Sequence, residues 1–156
     1  MEIKIDDLTS GDVIALLKEH LVDMYATSPA ESVHALDINA LSDPTLTFYS
    51  CWQNGVFLGC AALRELAHNH VEIKSMRTAS NARNLGVASL LMQHIIAVAK
   101  QRNVQRISLE TGAMEFFKPA RALYKKFGFE FCAPFGDYQA DPNSVYMRYN
   151  LTRSAR

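Results

Sequence analysis

The sequence has little of what marks a nucleic-acid binder, a membrane protein or a secreted protein. Its 16 Lys and Arg residues balance 16 Asp and Glu residues, so no bulk charge draws the chain to nucleic acid or to an anionic membrane. No apolar run approaches the roughly 18 residues of a membrane span. The N-terminal residues lack the basic and apolar regions of a signal peptide. We therefore expect a cytoplasmic protein that binds neither nucleic acid nor membrane.

Cysteine and recognisable ligand loops are also scarce. The three cysteines, Cys51, Cys60 and Cys132, show no Cys-x-x-Cys spacing and cannot all pair within the chain, which favours reduced and buried thiols. His68 and His70 have the spacing of a strand-borne metal pair, but no other ligand motif completes a site, so no metal is predicted. The Walker A loop and the GxGxxG motif are both missing. Any anionic ligand must then be met by local charges or by backbone amides.

What is present is a globular chain that alternates strand and helix patterns. With 156 residues, of which 49% are hydrophobic, it fits one domain over residues 1–156 with a sizeable core. Sequence periodicity predicts the order β-α-(α)-β-β-β-α-β-α-β-β, in which the bracketed helix is a short segment at residues 31–44. Asn54-Gly55, between two β-rich runs, is the strongest hairpin signal. The predicted class is α/β, with parallel pairing around the central strand–helix–strand unit.

The stretch RNLGVASLL, residues 83–91, opens a predicted helix shortly after a predicted strand. The first amides of a helix lack internal partners, and the helix dipole places partial positive charge there. Gly86 would let an anion approach the backbone, and Ala88 would keep the first turn open. These features are typical of a phosphate or pyrophosphate site, although a plain helix start with a tolerated glycine explains the same residues.

Several motifs together resemble the GNAT family of N-acetyltransferases, which use acetyl-CoA. Residues 83–88 fit the family signature Q/R-x-x-G-x-G/A, and residues 119–131, PARALYKKFGFEF, are similar to its A-x-x-L-Y-x-K-x-G-F segment. Residues 71–82 resemble its fourth strand and the connection that follows, and other short stretches resemble a bacterial YsnE-type subgroup. The resemblance implies the GNAT fold, a mixed central sheet of about six to seven strands flanked by about four helices. It also implies acetyl-CoA as cosubstrate, with no metal.

The resemblance further implies a cofactor site that runs from the fourth strand to the following helix. Backbone amides from Asn84 to Ala88 would hold the CoA pyrophosphate, while the edge of the fourth strand would pair with the pantetheine arm. A bulge in that strand would open the slot for the acetyl group, and one N–H near Met76 would polarise the thioester carbonyl. Phe117 departs from the family, where many relatives carry an Asn that contacts the cofactor arm. The implied cofactor-binding residues are Met76, Arg77, Thr78, Arg83, Asn84, Leu85, Gly86, Val87 and Ala88.

Two residues carry the implied chemistry. Tyr124 occupies the family position of the acid that protonates the CoA sulfur, although its spacing alone fits a core aromatic equally well. Glu72 lies where some members carry a catalytic glutamate, and strand alternation predicts that it shares one sheet face with Lys74 and Met76. A carboxylate half-buried in the cleft is a usable base. Glu72 could instead be a solvent-facing strand residue paired with Lys74 or a neighbour, and Glu110, at the end of the fifth strand, is the rival base.

The expected acceptor is a primary amine of a small molecule. Protein or peptide amines stay open as acceptors, as does a non-catalytic acyl-CoA-binding module. His34 and Asp37, in the segment after the first helix, are candidate acceptor-binding residues, together with Glu110 and Arg121. As structural alternatives, His34 could be a surface residue, Asp37 a helix cap and Arg121 an ion-pair partner. A homodimer is a further open possibility.

Overall fold

The computed structural model of the protein describes residues 1–29 and 43–151. Its strands are β1 Glu2–Ile5, β2 Leu46–Gln53, β3 Val56–Ala67, β4 His70–Thr78, β5 Arg106–Gly112, β6 Glu130–Cys132 and β7 Ser144–Asn150, and its α-helices are α1 Asp12–Thr27, α2 Val87–Gln101 and α3 Lys118–Lys126. The predicted α/β class and element order are confirmed. The described residues form three α-helices rather than about four, and most of the predicted short helix at residues 31–44 lies outside them.

All seven strands belong to one mixed sheet with the order β1-β2-β3-β4-β5-β7-β6. The pairing is antiparallel from β1 to β4, parallel between β4 and β5, and antiparallel again from β5 through β7 to β6. Asn54 and Gly55 adopt φ angles of 52° and 78° at the β2–β3 turn. Positive φ at both central residues is what a tight two-residue hairpin requires, so the Asn-Gly signal is confirmed.

The sheet is covered on both faces, and β3 supplies residues to each. Ala61 and Leu63 pack in the larger core cluster with residues of α2, whereas Cys60 and Ala62 pack in a second cluster with residues of α1. Successive strand residues point to opposite faces, so α1 and α2 lie on opposite sides of the sheet. No helix among the described residues is long and apolar enough to cross a membrane.

The sheet opens between β4 and β5. The β3–β4 register passes from Ala62 opposite Ser75 to Leu63 opposite Ile73, so Lys74 is an extra residue, as in a β-bulge. The β4–β5 pairing ends at Ile73 and Leu109, although β4 continues to Thr78 and β5 continues to Gly112. The two strands therefore separate after the bulge, which is the slot implied by the family resemblance.

Candidate active site

A cavity of about 380 Å³ occupies the space where β4 and β5 separate, and we call it the β4–β5 cleft. Its walls come from α1, β4, the turn before α2, β5, the segment leading into α3, and α3 itself. Six of the residues predicted from the sequence line it: Met76, Arg77, Thr78, Arg83, Glu110 and Tyr124. Predicted cofactor-binding and catalytic residues from four separate segments are thus brought to one cavity.

The N-terminus of α2 holds the rest of the predicted cofactor residues. Gly86 is the N-cap with φ of 81°, and no described side chain caps this helix end by a hydrogen bond. A β-carbon at Gly86 would meet nothing within 4 Å, so the positive φ, and not crowding, is what favours glycine. Asn84 also has a positive φ, of 67°. Asn84 and Leu85 are exposed, Ala88 is half-buried and Val87 is buried in the core, so the first turn of α2 presents amides toward open space.

Tyr124 lines the cleft and belongs to the larger core cluster at the same time. Its side chain is 8% exposed, and its ring centroid lies 6.0 Å from that of Phe129. Burial, and then the charge of Glu110, raises the pKa of Tyr124 to about 12. The phenol therefore stays protonated at neutral pH, which is the form that a general acid needs. The core-aromatic alternative is confirmed for the ring, which also lines the cleft, and the assignment of its hydroxyl as the acid stays a prediction.

Two arginines near the cleft have structural partners. Arg77 forms ion pairs with Asp23 and, at 4.0 Å, with Glu19, so its side chain ties β4 to α1. Its part in a cofactor site would therefore come from the backbone. Arg121 donates from Nη1 to the carbonyl oxygens of Gly112 and Met114, both at 2.8 Å. These bonds hold the C-terminal end of β5 against α3. They are contacts within the protein and not contacts with the amine substrate.

The predicted face of Glu72, Lys74 and Met76 is wrong. Met76 packs against the same core cluster as Val71 and Ile73, because the extra residue in the bulge reverses the alternation of β4. Glu72 is 3% exposed and does not line the β4–β5 cleft. The alternative of a solvent-facing glutamate is wrong as well, whereas its predicted pairing with Lys74 is found, at 3.7 Å.

Glu72 lies instead in a second cavity of about 530 Å³, which we call the loop cavity. It is lined by Arg64 and Leu66 of β3, Glu72 and Lys74 of β4, and residues 136–141 of the loop before β7. Tyr138 Oη donates to Glu72 Oε2 at 2.6 Å, and Lys74 Nζ donates to Tyr138 Oη at 2.8 Å. Lys74 Nζ is also 3.7 Å from Glu72 Oε2. Burial, followed by the charge of Glu72, raises the pKa of Tyr138 above its ordinary value.

Lys74 lines both cavities, so the cleft and the loop cavity adjoin at the bulge. Sequence reasoning did not assign Lys74 or Tyr138 to the site, because their positions depend on the bulge in β4 and on contacts between β4 and the loop before β7. It also missed His20, which reaches the cleft from α1. Burial, and then the nearby Arg77 charge, lowers the pKa of His20 to about 4, so the imidazole is neutral at neutral pH. His34 and Asp37 lie outside the described residues.

The remaining candidates of the sequence lie away from the cleft. Cys51 and Cys60 are buried and Cys132 is half-buried, all three are free thiols, and burial raises the pKa of Cys60 to about 12. The His70 Nε2 atom lies 2.7 Å from the Ser108 hydroxyl. Within residues 1–29 and 43–151 no group of three or more His, Cys, Asp and Glu side chains could hold a metal ion.

Comparison with known proteins identifies the family. The model of the Acetyltransferase (GNAT) family matches residues 13–129. The chain is 52% identical to the uncharacterised N-acetyltransferase YsnE of Bacillus subtilis (strain 168), covering 97% of this chain and 100% of that protein. It is 47% identical to the uncharacterised N-acetyltransferase YedL of Escherichia coli (strain K12), covering 96% and 94%. An IAA acetyltransferase of Azospirillum brasilense is 33% identical over 89% of this chain and 90% of that protein.

Solved structures agree on the fold. A GNAT-family acetyltransferase from Staphylococcus aureus Mu50 superposes with a TM-score of 0.74 at 19% identity, covering 97% of this chain and 100% of that one. A GNAT-family acetyltransferase from Elizabethkingia anophelis, solved with acetyl-CoA bound, gives a TM-score of 0.68 at 18% identity, covering 96% and 97%. The resemblance that the motifs suggested is thereby confirmed, and the chain belongs to the GNAT family of acetyltransferases.

Proposed function

We propose that the protein is an acetyl-CoA-dependent N-acetyltransferase that moves the acetyl group directly to a primary amine of a small molecule. The observation that carries this proposal is the convergence of Met76, Thr78, Arg83 and Tyr124 on the β4–β5 cleft, which the bulge at Lys74 opens. Acetyl-CoA is bound in the E. anophelis relative of the same fold. The three free thiols fit the reducing, cytoplasmic setting expected from the sequence.

The cofactor would lie along a path that three features support. The open amides at the start of α2, residues 84–88, suit the pyrophosphate, with the Arg83 side chain beside them. The edge of β4 from Met76 to Thr78 has left its pairing with β5, so its backbone groups can bond the amides of pantetheine. The thioester would then reach the part of the cleft between Glu110 and Tyr124.

The transfer step needs the neutral amine, a site for the oxyanion and an acid. The amine lone pair forms the new C–N bond to the thioester carbonyl, and a backbone N–H of β4 near Met76 stabilises the tetrahedral oxyanion. The C–S bond then breaks, and Tyr124 gives its proton to the leaving thiolate. Its raised pKa, about 12, keeps the phenol protonated until that moment.

Two carboxylates are candidates for the base that takes the amine proton. Glu72 is buried beside the junction of the two cavities and would act on an amine that enters from the loop cavity. Glu110 lines the same cleft as Tyr124 and is the alternative. We assign the base to Glu72, because Glu110 already raises the pKa of the acid and its charge would oppose the thiolate forming there.

A small acceptor is favoured over a protein lysine or N-terminus by the loop cavity. The cavity holds about 530 Å³ between the β3–β4 surface and residues 136–141, a size in the range of small-molecule sites. A non-catalytic acyl-CoA-binding module is less well supported, since binding alone requires neither the protonated phenol of Tyr124 nor a buried Glu72.

The test combines binding with turnover. CoA should raise the melting temperature of the protein, because a ligand of the native state stabilises it, and the absence of any rise would defeat the cofactor proposal. Release of the CoA thiol from acetyl-CoA is then measured against a panel of amines and short peptides. Glu72→Gln should lower kcat across the pH range, whereas Glu110→Gln should leave kcat close to the wild-type value. The opposite result would move the base to Glu110.

A further inference from the structure

The loop cavity contains a cation whose bonding is incomplete. Arg64, on β3, lines the cavity, and its Nε atom is buried without a hydrogen-bond partner among the described residues. Its Nη2 atom forms an ion pair with Asp43 Oδ2 at 3.7 Å, a contact that leaves the Nε donor unbonded. A buried donor left unbonded is costly. An acceptor oxygen of a bound ligand would remove that cost.

The cavity wall also carries the charges that suit an amine. Arg64 and Lys74 are its cations, and Glu72, Asp137 and Asp141 are its carboxylates. Lys74 and Glu72 lie within 3.7 Å of each other and balance locally. A wall that carries both cations and carboxylates complements a molecule that bears both signs of charge, and it disfavours a polyanion.

The strand register indicates which end of a bound ligand would face the cleft. Arg64 stands opposite Glu72 across the β3–β4 ladder, and Lys74 follows two residues along β4 at the edge of the cleft. Neighbouring strands are roughly 4.8 Å apart and each strand residue advances about 3.3 Å. A ligand bound at Arg64 therefore reaches the cleft within the length of a small molecule, and the end that reaches it is the one beside Glu72 and Lys74.

We propose that the acceptor carries a carboxylate in addition to its amine, as an amino acid does, and that Arg64 binds this carboxylate and determines specificity. The guanidinium holds the carboxylate on the β3 side of the loop cavity, and the amine points past Glu72 toward the thioester. This inference rests on the proposed acetyl transfer to an amine, and it adds the class of amine.

The experiment compares matched acceptors and matched variants. Each amino acid of the panel is paired with its own carboxamide, which keeps the amine and removes the negative charge, and kcat/KM is measured by CoA thiol release. For the wild type we expect the best acids to exceed their amides by about 10- to 100-fold, the range of a hydrogen bond to a charged group. Arg64→Met should lower kcat/KM for the acids to the level of the amides and should lower it less for the amides, whose carbonyl oxygen accepts only a neutral hydrogen bond. Arg64→Lys, which keeps the charge but loses Nε, should fall between.

Controls separate this inference from folding and from the proposed function. Arg102→Met makes the same change at an exposed residue at the end of α2 and should match the wild type with both acceptor classes. Melting temperature and CoA affinity report whether Arg64→Met still folds, and Arg64→Lys carries the test if it does not. Equal use of acids and amides by the wild type, or a preference that survives both Arg64 variants, would overturn the inference while acetyl transfer stands. Failure of the wild type to acetylate any amine would overturn the proposed function itself.

Discussion

Replacing Tyr124 by Phe isolates the hydroxyl that we assign as the acid. The ring of Tyr124 is 8% exposed and packs in the core, so Phe fills the same space and only the hydroxyl is lost. General acid catalysis contributes about 10²- to 10⁴-fold to rate. We therefore expect kcat to fall by at least about 100-fold, with the KM for acetyl-CoA nearly unchanged, because the phenol acts on the leaving group rather than on cofactor binding.

The assay is CoA thiol release at saturating amine, with CoA affinity measured separately. Tyr49→Phe is the matched control, because Tyr49 is a 2% exposed core tyrosine on β2 that lines neither cavity. The control should keep the wild-type kcat even if it loses some stability. A kcat for Tyr124→Phe within threefold of the Tyr49→Phe value would refute the assignment of the acid.

The pH profile tests the environment of the same hydroxyl. Burial, and then the charge of Glu110, raises the pKa of Tyr124 from the ordinary 10.0 to about 12, so the acid is protonated across the whole range from pH 6 to pH 10. The wild-type rate should rise with pH as the amine loses its proton, with no decline below pH 10. A falling limb centred near pH 9 that disappears in Tyr124→Phe would contradict a buried phenol in the cleft.

Two further predictions concern the cofactor end and the α1 wall of the cleft. Gly86→Ala and Gly55→Ala both place a β-carbon at φ near 80° with nothing within 4 Å, so each should cost about 1 kcal/mol of stability in thermal melts. Only Gly86→Ala should weaken CoA binding, which is measured by titration. Equal CoA affinity in both variants would contradict the site at α2. His20 has a folded-state pKa of about 4 against an ordinary 6.5, so the unfolded chain binds its proton first and stability falls as pH drops from about 6.5 toward 4. His20→Gln should remove about 2 to 3 kcal/mol of that stability loss between pH 7.5 and pH 4.5. The same change at exposed His68 should leave the stability loss unchanged. A wild-type pH dependence of stability in His20→Gln would contradict the burial of His20.

What could be predicted from the sequence is what local patterns determine. The hairpin at Asn54-Gly55, the glycine start of α2 and the register of Tyr124 in α3 depend on residues a few positions apart, and each is found where the sequence indicated. The family resemblance added the order in which these pieces assemble.

The surroundings of Glu72 could not be predicted, because they depend on contacts between distant parts of the chain. Tyr138, whose hydroxyl bonds the Glu72 carboxylate, is 66 residues further along the sequence. Its loop contains no periodic pattern that would direct it to β4. Period-two alternation also fails at one residue, since the position of a bulge is set by the pairing with Ala62 and Leu63 on β3 and not by β4 alone.

That single extra residue accounts for the arrangement of both cavities. If β4 paired regularly through Lys74, Glu72 and Met76 would share a face of β4, and β4 could continue its ladder with β5. Because Lys74 forms a bulge instead, Met76 lies on the core side of the cleft and Glu72 lies in the loop cavity. Strands β4 and β5 separate after the bulge. Lys74 itself stands at the bend and borders both spaces. The distortion that opens the cleft for a thioester therefore also defines the side from which the proposed acceptor would enter, past Arg64 and Glu72.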